Sequence, residues 1–300
     1  MNRQYLLALV VILGVFTLLT CSDGSDHRAV DSVVLTEAEA SAIEVLEVHM
    51  EARNNRDNEG LGAVNNYPNA RIGTDGGVSF WATAESFALW NEIATFPYLD
   101  SLGWGHSEWD EIKISQSDAS KVHITAQYSR YDVDGNLVQV AETFWIVTKQ
   151  DDHWGMKFRS SFAEDSGDEE AKVIAESAAL DVLEQYIHAR NNRDSETLSA
   201  VSNYPYIHLK GGSFQTWNTP EEYIVHEETE VIVDLDYSDW SRSEWGVIEA
   251  IQSSATKVHI VAELSRFNQV DEEYETKESF WVVTKQGEHW GIQGRSTFGE

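Results

Sequence analysis

One cysteine, four prolines and three methionines are found in 300 residues, and 21 lysines and arginines face 51 aspartates and glutamates, a formal charge of −30. Each shortage excludes something. With Cys21 as the sole thiol there is no internal disulfide, and a cysteine-based metal site or thiol nucleophile has nothing to be built from in the body of the chain. The scarcity of basic residues argues against nucleic acid as a partner, because an acidic surface repels a phosphate backbone. Solubility, or adaptation to salty surroundings, accounts for the excess carboxylates. The apolar run Tyr5 to Thr20 falls short of the roughly 20 residues that span a bilayer. Aromatics are not scarce: 11 Trp, 11 Tyr and 11 Phe, within 42% hydrophobic residues, can bury a core, so disorder is excluded as the dominant state. At about 100–200 residues per domain, the length suggests two domains.

Residues 1–21 have the form of a secretory signal, with one positive charge at Arg3, the apolar run and then Cys21. Leu18-Leu19-Thr20-Cys21 resembles the lipobox of bacterial lipoproteins, although Thr20 stands where Gly, Ala or Ser is usual. The resemblance implies cleavage before Cys21 and lipidation of its thiol. An uncleaved signal-anchor, or cleavage elsewhere, is the alternative. Residues 22–35 read as a tether, and Ser22 in second place favours the outer membrane by the same resemblance. The expected location is therefore the bacterial cell envelope, with membrane contact only through the N-terminal lipid or signal-anchor.

The strongest signal is internal. Trp81, Trp104, Trp109, Trp145 and Trp154 recur as Trp217, Trp240, Trp245, Trp281 and Trp290, each 136 residues on, and Ala-Arg-Asn-Asn-Arg-Asp at 52–57 recurs at 189–194. This is a tandem duplication, with expected domains at 36–163 and 173–300 joined by an acidic linker at 164–172.

Within a copy, Thr36 and Glu39 form a capping-box pair ahead of Ile43, Leu46 and Met50 at helical spacing, mirrored by Leu180, Leu183 and Ile187. Asp57 and Asp194 read as caps of a short second helix, and Thr83 and Thr219 as the start of a third, after a glycine-punctuated strand ending at Trp81 or Trp217. Residues 107–117, 121–131, 138–149 and 153–162 alternate like four strands joined by hairpin turns. The Ala-Arg-Asn-Asn-Arg-Asp run, Ser-Glu-Trp at 107–109 and 243–245, Lys-Val-His-Ile at 121–124 and 257–260, Phe-Trp-x-Val-Thr-Lys-Gln at 144–150 and 280–286, and the terminal His-Trp-Gly complete the pattern. Together they resemble the nuclear transport factor 2-like superfamily, most closely its SnoaL-like and ketosteroid-isomerase-like branches. The resemblance implies an α+β class: two tandem cone-shaped barrels, each with three N-terminal helices and a curved, mostly antiparallel sheet around an apolar pocket. It does not choose among the isomerases, dehydratases, cyclases and non-enzymes built on that fold.

Strand parity sorts the faces. Val122, Ile124, Ala126, Tyr128 and Arg130 share the expected core face, as do their counterparts up to Arg266. A symmetric hairpin at Asp118-Ala119 sets Ile114 against Ile124, Ile112 against Ala126 and Glu108 against Arg130, with Glu244 against Arg266. Parity carried onward adds Glu142 and Ser160, and Glu278 and Ser296, to the same end of that face. Glu108, Arg130, Glu142 and Ser160, with Glu244, Arg266, Glu278 and Ser296, thus make a candidate polar pocket mouth; a salt bridge that merely seals the barrel is the alternative. Arginine beside glutamate lowers the carboxylate pKa, which favours an anion site over a catalytic base of raised pKa. Arg53 and Arg190 extend the inner stripe of the first helix and either join the mouth or offset the helix dipole. His123 and His259 fall away from the core, on solvent or an interface. The histidines show no H-x-x-x-H or H-x-H spacing, so neither metal nor other cofactor is expected. Trp109 and Trp145 also fall on the outward side, where the two copies are expected to pack as an internal pseudo-dimer; a sugar-stacking platform is the alternative.

The reading that follows is a non-enzymatic envelope lipoprotein binding a small apolar or weakly acidic ligand. The alternatives are an isomerase, dehydratase or hydrolase, and a structural or partner-binding module of the envelope.

Overall fold

Each copy opens with the helix that its caps prescribe. The structure, a computed structural model, describes residues 35–162 and 167–298. The signal segment, Cys21, most of the tether and residues 163–166 of the expected boundary region lie outside the described residues. Thr36 caps α1 (Glu37–Asn54) through a complete capping box with Glu39. Asp168 caps α5 (Glu169–Asn191), whose first turns occupy the stretch expected as linker. Leu46, Met50, Leu183 and Ile187 are buried as expected, but Ile43 and Leu180 are not, and each stripe is wider on the other side. In α1 it runs through Ala42, Val45, Leu46 and His49, and in α5 through Ala179, Val182, Leu183 and Tyr186, while Leu180 is 39% exposed. Alanines on this face let the helix backbone lie close to the sheet, and the wider stripe brings His49 and Tyr186 inward.

After α1 come α2 (Asn58–Ala63), the hairpin β1 (Asn65–Ile72) and β2 (Val78–Trp81), then α3 (Ala84–Trp90), a π-helical turn (Asn91–Thr95) and α4 (Phe96–Ser101). The meander β3 (Trp104–Ser117), β4 (Lys121–Asp132), β5 (Leu137–Gln150) and β6 (His153–Ser161) closes the copy. The second copy repeats the order with α6 (Ser195–Ala200), β7 (Ser202–Lys210), β8 (Ser213–Trp217), α7 (Pro220–His226), a π turn (Glu227–Val231), α8 (Ile232–Tyr237), β9 (Trp240–Ser254), β10 (Lys257–Asn268), β11 (Glu273–Gln286) and β12 (His289–Thr297). Each sheet has six strands, ordered β2-β1-β6-β5-β4-β3 in the first copy, with only β1 and β6 parallel. This is the architecture that the resemblance implies, with the expected single strand before the third helix realised as a hairpin.

The duplicated motifs have separable tasks. Arg53 enters the cone. Asn54 clamps β3 by donating Nδ2–H to the Ser107 carbonyl and accepting the Ser107 N–H, both at 2.9 Å, and Asn191 repeats this with Ser243. Asp57 and Asp194 cap α2 and α6, each accepting an N–H at 2.9 Å, a contact worth about 1 kcal/mol. The glycine of His-Trp-Gly is needed where β6 passes β1: a Cβ at Gly155 would lie 2.9 Å from the Asn65 carbonyl carbon, and one at Gly291 2.9 Å from that of Ser202.

Register departs from the symmetric expectation. Ile114 faces Ile124 and Ile112 faces Ala126 as the hairpin predicts, but a bulge between Trp109 and Glu111 sets Ser107 opposite Arg130 and Glu108 opposite Ser129. In β5, Thr143 pairs with Ala126, Trp145 with Ile124 and Glu142 with Gln127. Trp145 therefore belongs to the inner face, and Glu142, Phe144 and Ser160 to the outer one. A one-residue slip transfers every side chain of a strand to the other face.

The outer faces of the two sheets pack together within a single compact unit, Leu35–Glu300. Phe144 and Phe280 stack at the centre, 3.4 Å between centroids and 1° from parallel, ringed by Ile72, Ile146, Ile207 and Val282. Reciprocal polar contacts surround them. His123 Nε2 lies 3.0 Å from Ser296 Oγ and His259 Nε2 lies 2.7 Å from Ser160 Oγ, while their Nδ1 atoms meet Gln116 and Gln252. Lys121 donates to the Thr297 carbonyl at 2.8 Å and Lys257 to the Ser161 carbonyl at 2.9 Å. Both histidines are fully buried, so of the two expected settings theirs is the interface.

Candidate functional site

Between α1, the α3–α4 segment and the concave face of the first sheet lies a cavity of about 500 Å³. Its apolar walls include Trp81, Trp90, Trp109 and Trp145. Its polar walls are cationic: Arg53 from α1, Arg71 from β1, Arg130 from β4 and Arg159 from β6 line it, and among the described residues no aspartate or glutamate does. In a chain of formal charge −30 this is a sharp local reversal.

Tyr128 stands among the guanidiniums, its hydroxyl accepting from Arg130 Nη2 at 2.9 Å and Arg159 Nη2 at 3.2 Å. Burial pushes this phenol up, but Arg159, Arg130, Arg53 and Arg71 together outweigh burial and bring it down to about 8. Burial, reinforced by Arg159, lowers Arg53 to about 9 and Arg71 to about 10. His49 is held well below its ordinary value by burial and then by Arg53 and Arg159, so it is neutral at pH 7. Arg53 donates to Asn91 Oδ1 at 3.1 Å, and Arg130 to Gln139 Oε1. Arg159 lies over Trp145, 4.7 Å from the ring centroid, and donates Nε–H to Ser161 at 2.9 Å. Four side chains of this lining keep a buried polar atom without a partner: His49 Nδ1, Arg71 Nε, Asn91 Nδ2 and Trp109 Nε1. Of these, the arginine, asparagine and tryptophan nitrogens are donors. Such a site offers positive charge and N–H groups and lacks acceptors of matching charge, which is the complement of an anion.

The second copy places a smaller cavity, about 280 Å³, at the equivalent position, and here carboxylates join the lining: Glu227, Glu230 and Asp234 beside Arg190, Lys210, Arg266, Lys277 and Arg295. Glu227, 2% exposed, holds Arg190 by two contacts, 2.5 Å to Nη1 and 3.0 Å to Nη2. Burial works against the Arg190 charge, yet Tyr186 and Glu227 hold its pKa well above the ordinary value. Arg266 pairs with Glu275 at 2.9 Å.

Of the eight residues expected at a pocket mouth, Arg130 and Arg266 line cavities and the other six do not. The bulge in β3 turns Glu108 outward, where it meets His106 at 3.5 Å. Glu244, displaced in the same way and paired with Ser265, meets Arg242 at 3.1 Å. Glu142 and Glu278 project from the outer faces because β5 and β11 are offset by one residue from the expected parity. Ser160 and Ser296 are buried between the two sheets against His259 and His123. Trp109 and Trp145 are corrected in the opposite sense and face the cavity, 6.3 Å apart and edge to face. Arg53 joins the site. Sequence reasoning missed Arg159, although it recurs as Arg295; it also missed His49 and Arg71, the latter's position in the second copy being His208, and it placed Tyr128 on the core face without a role in the site. Among the described residues no group of three or more His, Cys, Asp or Glu side chains is placed to hold a metal ion.

No protein-family model matches the chain, and a search of curated proteins finds no match. Solved structures similar to it include an NTF2-like protein with a cystatin-like fold from Novosphingobium aromaticivorans, 11% identical with a TM-score of 0.36, covering 42% of this chain and 82% of its own. An NTF2-like protein from Pseudomonas putida KT2440 is 13% identical with a TM-score of 0.36, covering 43% and 88%. The hexachlorocyclohexane dehydrochlorinase LinA-type3 from Novosphingobium barchaimii is 11% identical with a TM-score of 0.36, covering 44% and 90%. At this distance no activity transfers to the present chain.

Proposed function

We propose that this protein is a bacterial envelope lipoprotein, held by lipid on Cys21, whose first domain binds a small amphiphilic anion without converting it. The second domain, in which Glu227 and Glu275 sit on Arg190 and Arg266, is its partner in an internal pseudo-dimer. The observation that carries the reading is the set of four arginines around a cavity of about 500 Å³ with no lining carboxylate among the described residues. Buried like charges repel, and although Asp75 acts on Arg71 from outside the lining, no carboxylate among the described residues lines the cavity beside the four guanidiniums, so an anion entering it is favoured. The tryptophans supply the apolar surface that a ligand skeleton needs. The isomerase chemistry of a raised-pKa carboxyl asks for a carboxylate base, and among the described residues none lines the cavity.

The test is native mass spectrometry of the protein purified from its own host's envelope, followed by extraction and identification of what is released. A stoichiometric acidic molecule supports the reading, and a neutral or cationic one sinks it. A second reading, an isomerase or dehydratase, has Tyr128 in its favour, because a phenol brought down to about 8 can exchange a proton near neutral pH. Incubating the extracted molecule with fresh protein separates the two: chemical conversion supports the enzyme, and unchanged recovery supports the binder.

A further inference from the structure

The two cavities differ twice by the same chemical step. In the second domain Glu227 lies on Arg190 and Glu275 on Arg266. In the first, the π turn that begins at Glu227 in its twin begins at Asn91, and the strand position of Glu275 is held by Gln139. The arginines themselves are kept, as Arg53 and Arg130, and each still donates to the side-chain oxygen that replaces the carboxylate. Both exchanges remove a negative charge and leave an acceptor. Asn91, 1% exposed, gains a buried Nδ2 donor with no partner, which a second acceptor would satisfy.

We infer that the ligand of the first domain is a diacid, an apolar or aromatic skeleton with two separate carboxylates, one on Arg53 beside Asn91 and the other on Arg130 beside Gln139. The inference rests on the proposed reading of this cavity as an anion site. In the second domain Glu227 and Glu275 show what each ligand carboxylate does: the former grips its guanidinium through both oxygens, the paired geometry that arginine favours. A monoacid would put a carboxylate on only one of Arg53 and Arg130, whereas a diacid supplies one to each. The two vacated positions lie on different walls, Asn91 on the π turn before α4 and Gln139 on β5, so the two charges belong to two groups and not to one phosphate. The first cavity is also the roomier, about 500 against 280 Å³.

The experiment is calorimetric titration of the full chain with matched probes: benzoate against isophthalate and terephthalate, nonanoate against azelate, and phenyl phosphate as a dianion with both charges on one group. A diacid is expected to bind about tenfold or more tightly than its monoacid. Asn91→Glu and Gln139→Glu should each bring the diacid down to the level of the monoacid, with circular dichroism confirming the fold. Monoacids that bind as well as their diacids, or phenyl phosphate that outbinds both, overturn the diacid and leave the anion site standing. If no probe binds at all, the anion-site reading itself fails. The comparison of acids on the unaltered protein decides the matter even if a variant does not fold.

Discussion

The hydroxyls of Tyr128 and Tyr186 perform one task from opposite walls. Tyr128, on the sheet, accepts from Arg130 and Arg159 at 2.9 and 3.2 Å; Tyr186, on a helix, accepts from Arg190 and Arg295 at 3.0 and 2.8 Å. Their own counterparts are Leu264 and His49, so the phenol has exchanged sides between copies while the arginines stayed. Duplication preserved a local requirement, an acceptor between guanidiniums, and left its source free.

If the first cavity binds an anion as proposed, that phenol should make the binding pH-dependent. Below about 8 Tyr128 is neutral and the cavity carries its full positive charge; above it, a phenolate offsets one guanidinium. Affinity for terephthalate should therefore start to fall as pH rises through about 8, by no more than about tenfold per pH unit, and Tyr128→Phe should remove that first step and leave the later fall near the values of Arg53 and Arg71, about 9 and 10. Calorimetric titrations from pH 7 to 10 read this directly.

Arg159→Met separates binding from stability. Anion affinity should drop about tenfold or more, because a charge-assisted contact is lost. Melting temperature should hold or rise, by the equivalent of about 1 kcal/mol, because three remaining guanidiniums repel less than four. A variant that both binds normally and melts earlier would contradict the electrostatic account of the cavity.

Phe144 and Phe280 hold the halves together. Phe144→Ala should cost about 3–4 kcal/mol in denaturant unfolding, as for large aromatic truncations in a core. The double variant should cost less than the sum of the singles, since the two rings touch.

Acid should loosen the same interface. Burial, with Lys121 or Lys257 nearby, holds His123 and His259 well below the ordinary 6.5, so the unfolded chain takes up these protons first. Their contribution is complete above about 6.5 and is lost as pH falls below it. Lys257, lowered by burial to about 7, and Lys121, lowered to about 8, act in the same direction, and stability should climb further from about pH 7 towards the ordinary 10.5. Melting curves between pH 4 and 10 test the sign, and His123→Gln with His259→Gln should reduce the slope on the acid side.

Much of the fold is legible in local chemistry. Thr36 with Glu39, Asp57, Asp194, Thr83 and Thr219 cap the helices they were expected to cap, because a cap is a contact between residues three apart. Arg130 and Arg266 were legible as cavity residues for a similar reason, since both lie on a strand whose alternation is unbroken. Glu108, Glu142 and Ser160 were not. Alternation says that two sets of residues oppose each other, but a bulge between Trp109 and Glu111 and the offset of β5 decide which set faces inward.

The amino-acid sequence by itself determined the duplication, the element order, the caps and the retention of arginine at matched positions, all of which are properties of neighbours in the chain. Only the tertiary structure decided that Arg53, Arg71, Arg130 and Arg159, drawn from a helix and three strands, share one cavity that no carboxylate of the described residues lines. It also decided that in the twin cavity Arg190 and Arg266 are paired with Glu227 and Glu275. The physical reason is that local signals have periods of two or about 3.6 residues, whereas charge in a cavity sums over elements brought together by register, and one inserted residue changes which side chains enter that sum.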